Sequence, residues 1–485
     1  MSIEFHCDLS APASALPHVW EHTVGSDHAT MALRADWQVQ LARAHDELGF
    51  RHVRFHGILD DDVGTVLCER EKLVYGFFNS DEIFDFLLRI GMKPFVELSF
   101  MPSALSSGST TVFKYRGNVT PPKDYDQWAT LIGKLVGHWV ERYGVGEVRQ
   151  WFFEVWNEPN LKAFWTADQA DYFKLYRYTA RAIKAVDREL NVGGPASAEN
   201  AWVSEFLDFC AASHVPADFV STHHYPTDAF GQPGDDTEAQ LSKSHRSVLR
   251  DQARETRGRA RGKPVYYTEW CTSSNPFDPL HDEPYAAAFA TKTNMEAAGF
   301  VEGYSWWTFS DLFEENYLSS VPFHGSFGLL NIHGIAKPVY RAYQLLHGLG
   351  FEQLPVAGSH TTVDVWVVRG DGKVTVLAAN SALPRHPIAI EEVRVSLSQA
   401  AAPTTVTIAR IDDEHANAKR TWLAMGAPEY LSDQRVQALH AASELVYRPQ
   451  PYDMAGGVIE LAFTLPEQGV AAITLNLAPA AVPPG

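Results

Sequence analysis

The sequence predicts a (β/α)8 TIM barrel followed by a C-terminal antiparallel β-sandwich, and two observations carry that expectation. Over the first 350 residues, short apolar runs alternate eight times with longer helix-like stretches, which calls for a parallel sheet with crossover helices. Beyond Gly350 the period changes to β-branched, alternating segments with no helices between most of them. At 485 residues, 45% of them hydrophobic, the chain is long enough to bury both units.

In order, the expected barrel strands are 18–24, 52–58, 93–100, 149–156, 191–195, 218–224, 264–270 and 301–308. Several are continuously apolar, as strands covered on both faces should be. The helices expected between them are 33–48, 80–90, 124–143, 167–190, 200–212, 238–259, 283–298 and 339–347. The first ends at Gly49; the second opens on Ser80-Asp81, an N-cap pair, and ends at Gly91. A doubly wound open sheet is the structural rival, but no Gly-rich phosphate turn follows the first strand. The sandwich strands are expected at 363–369, 373–380, 388–398, 404–411, 457–465 and 470–477, interrupted by a helical insertion near 413–445. Residues 1–13 hold a further strand, with Ile3, Phe5 and Cys7 on one face, expected to join the C-terminal sheet. The barrel is then 14–350 and the accessory sandwich 351–485, with a frayed Pro- and Ala-rich tail from 478.

Composition narrows the partners. Forty basic against 59 acidic residues give a net charge of −19, which argues against nucleic acid and against an anionic membrane surface. No apolar stretch approaches the length needed to span a bilayer. Cys7, Cys68, Cys210 and Cys271 are widely spaced and match no disulfide or metal-finger pattern. With no basic-then-apolar leader at the N-terminus, a cytoplasmic protein is expected. Oligomeric state is not fixed by these features, and a monomer is permitted.

In a parallel barrel the chemistry sits at the C-terminal ends of the strands. Those ends read Phe55-His56-Gly57, Trp156-Asn157-Glu158-Pro159-Asn160, Thr222-His223-His224-Tyr225-Pro226, Tyr267-Thr268-Glu269-Trp270 and Trp306-Trp307-Thr308-Phe309-Ser310-Asp311. Glu158 and Glu269, at strands four and seven, lie on facing walls of a closed barrel and can converge on one bound atom. Glycoside hydrolysis needs such a pair, one carboxyl protonating the leaving oxygen and one carboxylate at the anomeric carbon. The plain structural alternative for Asn157-Glu158-Pro159 is a strand-to-helix turn capped by Asn. For Glu269 it is a satisfied polar group at a strand end. Their coincidence on two independent strands favours the chemical reading.

Other rim residues also have two readings. Trp307 with Phe309, and the run Trp151, Trp156, Trp165, offer flat faces to a sugar, although aromatic stripes are more often core; Trp151 and one of Trp306 and Trp307 are assigned there. His56, His223 and His224 invite a metal, but His-His points adjacent side chains to opposite sides, unlike the His-x-His of a zinc barrel. Neither metal nor cofactor is expected. Glu314-Glu315 is a solvated charge pair or a wall for sugar hydroxyls, and spacing favours the first.

The run Trp151-Phe152-Phe153-Glu154-Val155-Trp156-Asn157-Glu158-Pro159-Asn160-Leu161 with Phe164-Trp165 resembles glycoside hydrolase family 39, within it the bacterial β-xylosidases. The resemblance extends through Ser221–Pro226, Tyr267–Trp270 and Tyr304–Glu315. It implies a retaining mechanism with Glu158 as acid/base and Glu269 as nucleophile. It also implies a sugar held by His56, Asn157, His223, Tyr225, Trp307, Glu314 and Glu315, with Phe113 as an aromatic wall and the role of His224 open. The implied substrate is a terminal β-1,4-linked D-xylosyl unit of a xylo-oligosaccharide; exo cleavage is expected from the insertions 101–123 and 310–336, which are long for barrel loops and can close a pocket at one end. The alternatives are an α-L-iduronidase-like enzyme, an endo-xylanase, and a non-catalytic carbohydrate-binding barrel. The iduronidase branch carries basic residues after the strand-six histidine; here the positions are His224-Tyr225-Pro226 beside an acidic rim, which would repel a uronate.

Overall fold

The computed structural model describes residues 3–227 and 234–477. Eight parallel strands close into a barrel in sequential order: Thr23–His28, Lys93–Leu98 beside His52–His56, then Phe152–Val155, Asn191–Ser197, Phe219–His224, Val265–Trp270 and Gly303–Trp306, which returns to the first. The sandwich has two sheets. One contains Val363–Gly370, Lys373–Asn380, Val470–Leu477 and Pro403–Ile411; the other contains Glu391–Ser398 and Val458–Leu465. Ile3–Asp8 enters the second sheet parallel to Glu391–Ser398, pairing Phe5 with Val395 and Cys7 with Leu397. Phe5 and Cys7 are buried in the core between the sheets, so that core draws on both ends of the sequence. The expected tail from 478 lies outside the described residues.

Most elements fall within a few residues of expectation, and the exceptions have local causes. The first barrel strand is Thr23–His28 and not 18–24: Val19–Glu21 forms a 3-10 turn, with His18 Nδ1 2.6 Å from Glu21 Oε1. The apolar run marks buried Val19 and Trp20, whereas the strand itself carries Gly25, Ser26, Asp27 and His28 and lacks an apolar signature. The second helix begins at Phe78, so Ser80 is inside its first turn, donating to Phe77 O, and is no cap. The stretch 238–259 divides into Thr237–Leu241 and Val248–Arg259. Asp124 does cap the helix Tyr125–Tyr143, accepting from Asp126 N and Gln127 N.

The barrel interior is layered by the two-residue period of its strands. Phe95, Phe152, Phe219 and Tyr266 pack together as a floor. Two residues further along, Glu97 pairs in register with Glu154, and Arg54 lies between them. The layer above the apolar floor is therefore ionic, and the rim at the strands' C-terminal ends stands on it.

Two loops shape that rim. Residues 101–123 follow strand three and 310–336 follow strand eight. The second is held by Lys337, whose fully buried Nζ lies 2.7 Å from Asp282 Oδ1 and 2.8 Å from Asp311 Oδ2 and donates to Ser326 O. From the sandwich insertion, Ala418–Ala424 packs Trp422 against Phe323 and Ile335 of the same loop.

Candidate active site

Arg54 organises the site from below. It projects inward from the middle of strand two and is fully buried. Its Nε donates to Glu154 Oε2 at 2.5 Å, its Nη1 to Glu269 Oε1 at 2.7 Å and its Nη2 to Asn157 Oδ1 at 3.0 Å, with Glu97 Oε2 2.7 Å from Nη2. Thr268 donates to the remaining oxygen of Glu154, and Ser99 donates to Glu97. A buried cation among carboxylates is tolerable only with such complete pairing.

Glu269 reaches this cluster through an irregularity in its strand. The pairing with strand six skips from Thr222↔Tyr267 to His223↔Glu269, leaving Thr268 unmatched. That slip lets Thr268 and Glu269 both address the interior, the re-aiming that bulges provide near active sites. Glu269 Oε2 accepts a further hydrogen bond from the Tyr225 hydroxyl at 3.0 Å. Burial, then the charge of Glu269, holds the Tyr225 phenol well above its usual range, so it remains a donor.

Glu158 follows a strained turn. Trp156 (φ 76°) and Glu158 (φ 44°) are left-handed, and Glu158 N donates to Ala196 O at 2.8 Å. Such backbone costs on the order of 1–3 kcal/mol and clusters at functional sites. The turn is no helix cap: Asn157 Oδ1 is taken by Arg54, and the next helix starts only at Gln169. Glu158 Oε1 lies 2.9 Å from His223 Nδ1, and Glu269 Oε2 lies 3.6 Å from the same nitrogen. One carboxylate oxygen of each glutamate and a ring nitrogen of His223 all fall within 4.8 Å of one another.

The charges are unequal. Burial, reinforced by the charge of Glu269, pushes the Glu158 carboxyl well above the usual range. Burial, with Arg54 and His56 adding to it, pushes His223 well below its ordinary value, so its ring is neutral. His56 goes the opposite way. Burial opposes its charge, but Glu97, with Nδ1 at 2.8 Å, and Glu315, with Nε2 at 3.5 Å, raise it well above its ordinary value.

The pocket above the carboxylates is lined by His56, Phe113, Asn157, Tyr225, Trp307 and Glu315, together with both glutamates. Trp307 packs on His56, centroids 4.8 Å apart. His223 sits behind the carboxylates. Glu314 departs from the expectation of a sugar-holding wall: it is outside the lining, its Oε1 is 3.4 Å from His28 Nδ1, and its backbone N donates to Asp27. The loop's bend at Glu315 turns Glu315 into the pocket while Glu314 takes the far side. His224 also diverges from His223, with Nδ1 3.3 Å from Asn200 Nδ2. Trp151, Trp156, Trp165, Trp306 and Phe309 are fully buried core and not sugar platforms.

Arg54, Glu97 and Glu154 had been assigned no role from sequence. Their signal is a charged residue within an otherwise apolar barrel strand, at positions two residues from an inward aromatic or histidine. Among the described residues, His28, Asp60 and Asp62 also bring donor atoms within 4.8 Å of one another, the spacing a cation would require. In the Glu158–His223–Glu269 group each side chain already has a protein partner.

A TIM barrel that sets two carboxylates across one sugar-sized pocket is a glycoside hydrolase. The family model described as glycosyl hydrolases family 39 matches residues 5–458, and the chain belongs to that family. It is 50% identical over 431 residues to a beta-xylosidase of Caldicellulosiruptor saccharolyticus, covering 88% of each chain. It is 38% identical to a beta-xylosidase of Geobacillus stearothermophilus, covering 94% of this chain and 92% of the other. Among solved structures it resembles a monomeric beta-xylosidase from Caulobacter crescentus CB15, at TM-score 0.86 and 35% identity, over 99% of this chain and 100% of that one.

Proposed function

We propose that the protein is a retaining exo-β-D-xylosidase that releases terminal β-1,4-linked xylosyl units from xylo-oligosaccharides, with Glu158 as acid/base and Glu269 as nucleophile. The observation that carries the reading is the close approach of two carboxylates in contrasting settings. Retaining enzymes hold this pair about 5–5.5 Å apart, and inverting ones hold it farther apart to admit a water.

In the first step a Glu269 oxygen bonds to the anomeric carbon as the glycosidic C–O bond breaks, and the leaving oxygen takes the Glu158 proton. Arg54 and Tyr225 donate to both Glu269 oxygens and orient it. In the second step water attacks the anomeric carbon, gives a proton to Glu158 and frees Glu269. Asn157, its oxygen held by Arg54, has its amide nitrogen available to a sugar hydroxyl. His56, Trp307 and Glu315 are assigned to the remaining hydroxyls and the apolar face.

Exo action is supported by a closed wall. Lys114 N donates to Glu315 O at 2.8 Å, joining the loop after strand three to the loop after strand eight. Tyr115 stacks on His28 at 3.8 Å and ties the first of these loops to strand one. A cleft sealed on that side admits a chain end, not a chain passing through. No helix among the described residues is long and apolar enough to cross a membrane. The four free cysteines fit a cytoplasmic setting.

The test is a proton NMR time course on an aryl β-xyloside, with the β-anomer of xylose expected first. Glu269→Gly should abolish turnover. Glu158→Ala should slow xylobiose hydrolysis by about 10²–10⁴-fold, while formation of the glycosyl-enzyme from a good phenolate leaving group is largely kept. Early α-anomer, or equal loss on both substrates, would refute the assignment.

A further inference from the structure

Beside the pocket, two large apolar rings stand in solvent. Phe277 is 38% exposed and Tyr317 52% exposed. They come from different loops, after strands seven and eight, and each directly follows a pocket-lining residue, Pro276 and Asn316. Their ring planes lie within 20° of parallel with centroids 6.0 Å apart. Singly exposed aromatics are common on surfaces, but two aligned rings converging from separate loops at a pocket mouth need an occupant.

We propose that Phe277 and Tyr317 form a platform for the leaving-group sugar, the unit just beyond the scissile bond. This rests on the xylosidase reading above. The paired rings present exposed apolar faces, and a xylosyl ring, lacking the exocyclic hydroxymethyl group, has an uncluttered apolar face to lay against them. Phe277 and Tyr317 each directly follow a lining residue, Pro276 and Asn316, so a sugar extending from the pocket past those residues meets both rings. Flat rings orient a sugar at low conformational cost, having few torsions to freeze.

The experiment compares kcat/KM for xylobiose, whose leaving group is a sugar, with kcat/KM for β-xylosyl fluoride, whose leaving group is one atom. Both constants report the step that breaks the glycosidic bond. Phe277→Ala and Tyr317→Ala should each lower the xylobiose-to-fluoride ratio about 3–10-fold, and the double variant more. Phe277→Tyr and Tyr317→Phe should restore it. Transfer of xylosyl from the fluoride to added xylobiose should fall in parallel, because the acceptor uses the same platform. Both side chains are exposed, so the variants should fold, and thermal melts check this. A ratio unchanged from wild type, or equal losses on both substrates, would overturn the platform. A wild-type protein inactive on both substrates would instead overturn the xylosidase reading, and the platform with it.

Discussion

Arg54 Nη1 lies 2.7 Å from Glu269 Oε1, and the same guanidinium contacts Glu97, Glu154 and Asn157. The Glu269 carboxylate is thus set by a residue two layers into the barrel.

Removing that residue should cost stability as well as activity. Arg54→Met leaves three buried carboxylates without their cation, a loss of about 3–5 kcal/mol. Chemical denaturation should show the drop. Arg54→Lys keeps the charge but not the forked geometry, so it should recover stability better than kcat.

The pH profile should be set on its alkaline side by Glu158. The proposed first step needs this carboxyl protonated, and burial with the nearby Glu269 charge raises it well above the usual range. Activity should therefore persist past the ordinary glutamate range and fall as pH rises through the elevated value. In Glu158→Ala, assayed on an activated aryl xyloside, that alkaline limb should vanish. In Glu269→Gln, the NMR titration of Glu158 should move down, because one like charge is gone.

Gly25 makes room for the pocket-lining indole of Trp307. A Cβ there would lie 2.5 Å from Trp307 Cε3 and 3.0 Å from Trp306 O. Gly25→Ala should push Trp307 into the pocket, costing about 1–3 kcal/mol of stability and raising KM for xylosides. Calorimetry and steady-state kinetics separate the two effects.

Lys337 braces the loop that carries Glu315. Lys337→Met should destabilise by about 3–5 kcal/mol. Burial already raises the Asp311 carboxyl against the pull of Lys337. Without that pull it rises further, so the carboxyl is neutral in the fold over a wider pH range and the penalty grows as pH rises. The stability deficit should thus be smaller near pH 5 than near pH 8.

Much of this was legible in the sequence because repeated period is a strong signal. Eight alternations and two carboxylates at strand ends were enough to orient the barrel and locate its mouth. Strand one escaped because its residues face a polar site, so Gly25, Ser26 and Asp27 lack the apolar run expected of a barrel strand. Arg54, Glu97 and Glu154 escaped because nothing in linear spacing says that three separate strands bring them to one point. Glu314 and Glu315 are adjacent in the chain, and which one entered the pocket depended on the loop's path.

Ile3–Asp8 is the parallel neighbour of Glu391–Ser398, with about 380 residues between them. Contacts so distant in sequence are slow to close. During synthesis this strand must wait, Phe5 uncovered, until Glu391–Ser398 has followed. The sandwich is therefore among the last parts to assemble, and loss of Glu391–Ser398 would leave one edge of Ile3–Asp8 sticky.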